Sequence, residues 1–213
     1  MVGKGLTGSV LIIAPIVVLV MFAGLWPASN TDGVEESVKA LIANKSLANF
    51  SGFLGSLGNI AVVVAFAVVA RFLAGGGNPG AGAAIRAGIL FPILGAIIAA
   101  QSGLQLGTIS VGSAGDVSSA KILYLISQNI GNFLPIIWGP AVALLGVSRT
   151  RRDPANTFSV VLGYALLITG LAFFVFGIVD PPGALWIIAW IAYSALTILL
   201  GVRMITLTEE ASA

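Results

Sequence analysis

Lys121, Tyr124, Gln128 and Asn132 recur every three or four residues, so a helix places them in one polar stripe. Asn129 stands beside the stripe, and Pro135 and Pro140 follow in the same apolar run, whose centre reads SQNIGNFLP at residues 127–135. Hydrocarbon offers amides no partner, so inside a membrane they turn to a cavity or to another helix. A cavity makes Gln128, Asn129 and Asn132 the polar contacts of a ligand or ion pocket. Pro135 lacks a backbone donor, and its ring crowds the carbonyl of Gly131 four residues back. A carbonyl released there could hold a solute or a cation, as in the broken helices of transporters. The other reading is that the amides join helices, at roughly 1 kcal/mol each. Proline is also common in membrane helices without any mechanism. Both readings stand on sequence alone. Asn59, Tyr193, Ser194 and Thr197 lie in other apolar runs and can face the same interior. The candidate ligand-binding set is therefore Tyr124, Gln128, Asn129, Asn132, Asn59 and Tyr193, with Pro135 and Pro140 as helix kinks. Gln101 and Gln105 read as hydrated groups at an interface.

Searches for catalysis fail. The chain has no His and no Cys, which removes disulfides, thiolate chemistry and the usual haem, zinc and copper ligands. No His exists to activate a serine. No carboxylate falls inside an apolar run, so a membrane aspartyl protease lacks its pair. No aspartates are spaced to hold the magnesium of a prenyl-diphosphate enzyme. The glycines of residues 75–82 lack the Lys-Ser/Thr ending of a phosphate loop, and no strand precedes them. Rows of arginine and rings of charge are missing as well, which disfavours voltage sensing and charged-ring channels. The expectation is a non-enzymatic protein with no cofactor and no metal.

These residues need a membrane to position them. Of 213 residues, 58% are hydrophobic and 8% are charged, against about 25% charged in soluble domains. One aqueous core cannot hide so much apolar surface, so the bilayer is the solvent. A net charge of +2 is too small to suggest nucleic acid. Six apolar runs, near 8–27, 51–73, 84–106, 121–148, 157–179 and 183–204, are each long enough to cross about 30 Å at 1.5 Å per residue. The fold class expected is all-α: one polytopic domain over 1–213 with six transmembrane helices. The first run begins like a signal peptide, but the residues after it make a poor cleavage site, so it reads as a retained span.

Basic residues set the orientation. With the N-terminus inside, Lys4, Arg71, Arg86, Arg149, Arg151, Arg152 and Arg203 fall on the cytoplasmic side and Lys39, Lys45 and Lys121 outside. The phrase SRTRRDP, with Arg149, Arg151 and Arg152, is the strongest cue, and both termini are expected inside. Trp26, Trp186 and Trp190 then read as part of an outer aromatic belt. After the first span, TDGVEESVKALIAN predicts a short amphipathic outer helix with Val34, Val38, Leu41 and Ile42 on one face and Thr31 or Asp32 as N-cap. Residues 107–120 and the segment AGGGNPGAGAA read as loops. Gly103 with Gly107, and Gly95 with Ala99, have the spacing of close helix contacts.

The segment SVKALIANKSLANFSGFLGSLGNIAVVVAFAVVARFL, the polar run Gln128 to Asn132 and the basic turn SRTRRDP together resemble a widespread prokaryotic family of six-helix membrane proteins, catalogued as a domain of unknown function. The resemblance implies architecture and a plasma-membrane location, and it brings no catalytic residues. Two functions are expected. The first is a non-enzymatic accessory or assembly component that associates with another membrane protein. The second is a binder or transporter of a small neutral or lipid-like solute through an outward cavity bounded by spans two, four and six. The expected partners are the lipid bilayer and either another membrane protein or a second copy of the chain.

Overall fold

The computed structural model describes residues 2–28, 33–179 and 183–210. They form α1 (Val2–Leu19) with a π-helical continuation Val20–Leu25, α2 (Val34–Ala43), α3 (Lys45–Ala74), α4 (Ala81–Ser113), α5 (Val117–Arg152), α6 (Thr157–Val179) and α7 (Ala184–Glu210). Six of these helices are long and apolar enough to cross a membrane, so the chain is a multi-pass membrane protein. Among the described residues there is no strand.

The long helices close a ring in chain order. Each of α1, α3, α4, α5, α6 and α7 packs on the next, and α7 packs back on α1. The ring has two chemically distinct ends. One carries α2. The other carries the basic residues: Arg152 donates to the carbonyl of Phe72, and the Lys4 ammonium lies 6.0 Å from the Phe72 ring centre.

Glycines bring the backbones together, though not at the spacings that stand out in the sequence. A Cβ on Gly139 would lie 2.6 Å from the carbonyl oxygen of Gly170, one on Gly146 2.5 Å from that of Gly163, and one on Gly8 2.7 Å from that of Gly201. Only glycine allows these contacts of α5 with α6 and of α1 with α7. Gly103, by contrast, has nothing within 4 Å, and Gly95 and Gly107 make ordinary contacts with Val63 and Leu123.

The connections are shorter than composition suggests. Residues 107–113 continue α4 and 117–120 begin α5, leaving a turn at Ala114–Asp116 in place of the expected loop. Gly115 turns the chain at φ +100°, and the Asp116 carboxylate caps α5 by accepting from the Ser119 N–H at 3.0 Å. The Ser119 hydroxyl first, and then its backbone N–H, hold the Asp116 carboxyl below its usual range. The Gly and Ser of residues 107–120 read as a loop, but only Ala114–Asp116 leave the helices. Helices α3, α4 and α5 accordingly overrun the predicted spans at both ends.

These extensions support α2, which packs on α3, α4 and α5. Val38 and Leu41 are fully buried, and Val34 and Ile42 pack beside them against Ile109, Ala120 and Tyr124. Gly33 occupies the N-cap position without a side-chain bond; Thr31 and Asp32 lie outside the described residues. Glu35 instead bridges Lys39 on its own helix at 2.9 Å and Lys121 on α5 at 3.1 Å. The two ammonium groups pull the exposed Glu35 carboxyl down to about 2, the Lys39 hydrogen bond contributing most.

Candidate functional site

Inside the ring, on the α2 side, lies a cavity of about 560 Å³, within the range of small-molecule sites. Five helices line it, and α6 does not.

One wall is polar and belongs to α3, α4 and α5. Gln128, Gly131, Asn132, Pro135 and Trp138 fall on one face of α5 and all line the cavity. Asn132 is exposed to it and Gln128 is half-buried. Ser56 and Asn59 come from α3 and Gln101, Ser102 and Gln105 from α4. The polar wall therefore holds five primary amides and two hydroxyls. The α4–α5 seam is tight: the Gln101 Nε2 sits 2.6 Å from where a Cβ on Gly131 would be. The Ser127 hydroxyl reaches the Gln101 carbonyl at 3.5 Å. The residue at 131 must be small for Gln101 to occupy that place.

The facing wall is aromatic and belongs to α1 and α7, with Phe22, Trp26, Trp186 and Trp190. Together with Trp138, all four tryptophans of the chain line one cavity. Phe22 lies in the π-helical turn, and π-turns shift side-chain register where a site needs it. Gly52 and Gly55 of α3 make the room: a Cβ on Gly55 would lie 2.6 Å from the Phe22 ring and one on Gly52 2.9 Å from Trp26. Phe22 and Trp26 meet edge to face with centres 5.8 Å apart, the favoured arrangement of aromatic pairs. Among the described residues, no charged side chain lines this cavity.

Aromatic rings close the floor. Trp138 meets Tyr193 edge to face at 5.4 Å and lies parallel to Phe173 at 6.1 Å. Tyr193 continues to Phe66 at 5.8 Å, and Phe66 stacks on Phe91 at 5.2 Å. These five residues come from α3, α4, α5, α6 and α7 and pack into one layer below the cavity. Phe66, Phe91 and Phe173 are fully buried. The Tyr193 hydroxyl lies toward Trp138 and Thr197, yet neither it nor the Trp138 N–H forms a well-aligned bond.

The structure thus brings Gln128, Asn132 and Asn59 together. It separates the other three candidates. Tyr124 is buried beneath α2. Asn129 does not line this cavity but a separate apolar groove with Ile97, Ile126, Ile130 and Phe133. Tyr193 belongs to the floor and does not line the cavity itself. Ser194 and Thr197 return their hydroxyl protons to the carbonyls of Trp190 and Tyr193 in their own helix, at 2.9 and 2.7 Å. Pro135 touches the cavity and Pro140 does not; α5 stays helical through both. Helices α1 and α4 join the three spans expected to bound the site. Gln101 and Gln105 are wall residues, not merely interfacial groups, and Trp26, Trp186 and Trp190 turn to the cavity, where a membrane belt was expected. A signal was present: Trp186, Trp190 and Tyr193 stand at i, i+4 and i+7, one helix face.

Compared with known proteins, the chain has no significant match to any family model, curated protein or solved structure.

Proposed function

We propose that the protein binds a small uncharged solute in this cavity and passes it across the membrane. The observation that carries the reading is the cavity itself: amides that packing alone would bury against other helices instead line an open chamber. Intramembrane amides without a partner are costly, so a chamber that keeps five of them is built for water and a ligand. The aromatic floor is the closed gate, and passage requires Trp138 and Tyr193 to part. No catalytic step belongs to this reading.

The distribution of basic residues supports an orientation with α2 and the cavity mouth outside and both termini in the cytoplasm. Seven cations lie at the end of Arg149, Arg151 and Arg152, against Lys39, Lys45 and Lys121 at the α2 end, which together make the 10 of the chain. The resemblance to the uncharacterised prokaryotic six-helix family supports a prokaryotic plasma membrane. Native mass spectrometry of protein gently extracted from its own membrane tests the function. A small-molecule adduct, lost in the Asn132→Leu variant, is the expected result. A second membrane protein in fixed ratio, with no adduct, would replace this reading with that of an accessory component.

A further inference from the structure

We infer that the ligand of this cavity is a neutral polyhydroxylated ring, a sugar or cyclitol, held with its face toward the tryptophans and its edge toward the amides. This rests on the binding function proposed above and names its substrate class.

The argument begins with the number and kind of polar groups. Asn59, Gln101, Gln105, Gln128 and Asn132 each carry both a donor and an acceptor. A hydroxyl is likewise both, so each amide can satisfy a hydroxyl in either sense. A quinone or an indole has one or two polar atoms and would leave most of this wall unpaired, which costs affinity in a desolvated site. A ring bearing a hydroxyl on nearly every carbon matches the wall in number. Charge excludes the ionic alternatives: no acid or base among the described residues lines the cavity, and burying an uncompensated ion costs several kcal/mol or more.

The second half of the argument is the other wall. A pyranose or cyclitol ring has polar edges and faces rich in C–H bonds, which rest on the electron-rich faces of aromatic rings. Trp186 and Trp190 are half-buried, so each keeps part of its ring for a ligand. The ring order of the helices places α7 across from α4 and α1 across from α5, with α3 beside α1. One wall then takes the ring face and the other its edge. A volume of about 560 Å³ accommodates one or two such rings.

The four tryptophans make the test direct, because a ligand here must perturb their emission. The full chain in lipid nanodiscs is titrated with glucose, galactose, mannose, myo-inositol and sucrose, with glucuronate as a charged control and a naphthoquinone as an aromatic one. At least one neutral sugar or cyclitol should give a saturable shift, and glucuronate should bind at least about tenfold more weakly than its neutral counterpart. Losing one wall hydrogen bond in Asn132→Leu should weaken binding about tenfold, and Trp190→Leu should weaken it similarly with native helix content retained. No shift with any of the five up to about 100 mM, where even a ~10 mM affinity would register, overturns the sugar assignment. Saturable naphthoquinone binding without sugar binding overturns it too, while leaving the cavity a ligand site. Failure of the cavity reading itself is seen separately, as the absence of any adduct in native mass spectrometry.

Discussion

At the scale of single residues, Asn132 and Trp138 lie two turns apart on α5 and do opposite things. Asn132 is exposed to the cavity and joins no helix to another. Trp138 is 2% exposed and touches three other aromatic rings, those of Phe173, Trp190 and Tyr193. Asn132→Leu should therefore leave stability within about 0.5 kcal/mol of wild type, as for a side chain outside the packed interior. Trp138→Ala should cost about 3–5 kcal/mol by emptying the floor. Thermal unfolding in nanodiscs checks both. A loss of about 1 kcal/mol or more in Asn132→Leu would make that amide a helix joint, as in the competing sequence reading. The sequence could not separate these cases. Gln128, Asn129 and Asn132 look alike as letters, but 129 is one residue round the helix from 128 and faces the membrane groove. Periodicity shows which residues share a face; it does not show which face the ring encloses.

At the scale of elements, α2 is a cap fixed by apolar burial and by one ionic joint. Val38 and Leu41 supply the burial, and Glu35 joins α2 to α5 through Lys121. The folded Glu35 carboxyl is held down to about 2 from an ordinary 4.5, so its contribution is fully present above about 4.5 and disappears as pH falls through about 2. Lys39 is raised above its ordinary 10.5, so its share is present below that value and lost at higher pH. Both residues are exposed, so the effect is local. Hydrogen exchange in α2 should be unchanged, after correction for intrinsic rates, from pH 8 to about 5, and faster in Glu35→Gln across that range. Equal exchange in the two proteins would leave the docking of α2 to its apolar face alone. The helices themselves were legible, since long apolar runs leave little else possible in a bilayer. So was the buried face of α2, from its period. The ends of α3, α4 and α5 were not, because Gly and Ser at residues 107–120 read as a loop while packing against α2 keeps them helical. The glycine seams at Gly139, Gly146 and Gly8 were equally hidden, because their partners lie on other helices.

At the scale of the whole molecule, six helices in a ring hold a chamber nearer the α2 end, with a packed aromatic layer beneath it. In the proposed function this chamber is open on the α2 side and closed toward the basic end. That asymmetry is the central claim. The natural chain has no Cys, so a single introduced thiol is the only reactive one. Thiols react as hydrated thiolates, so reactivity reports water. The measurement is labelling of Asn132→Cys and Asn129→Cys, in intact cells and in inverted vesicles, with a membrane-impermeant methanethiosulfonate. The account predicts rapid labelling of Asn132→Cys from outside, slow labelling of it from the cytoplasmic side, and little labelling of Asn129→Cys from either. An unreactive Asn132→Cys, or one no more reactive than Asn129→Cys, would contradict it.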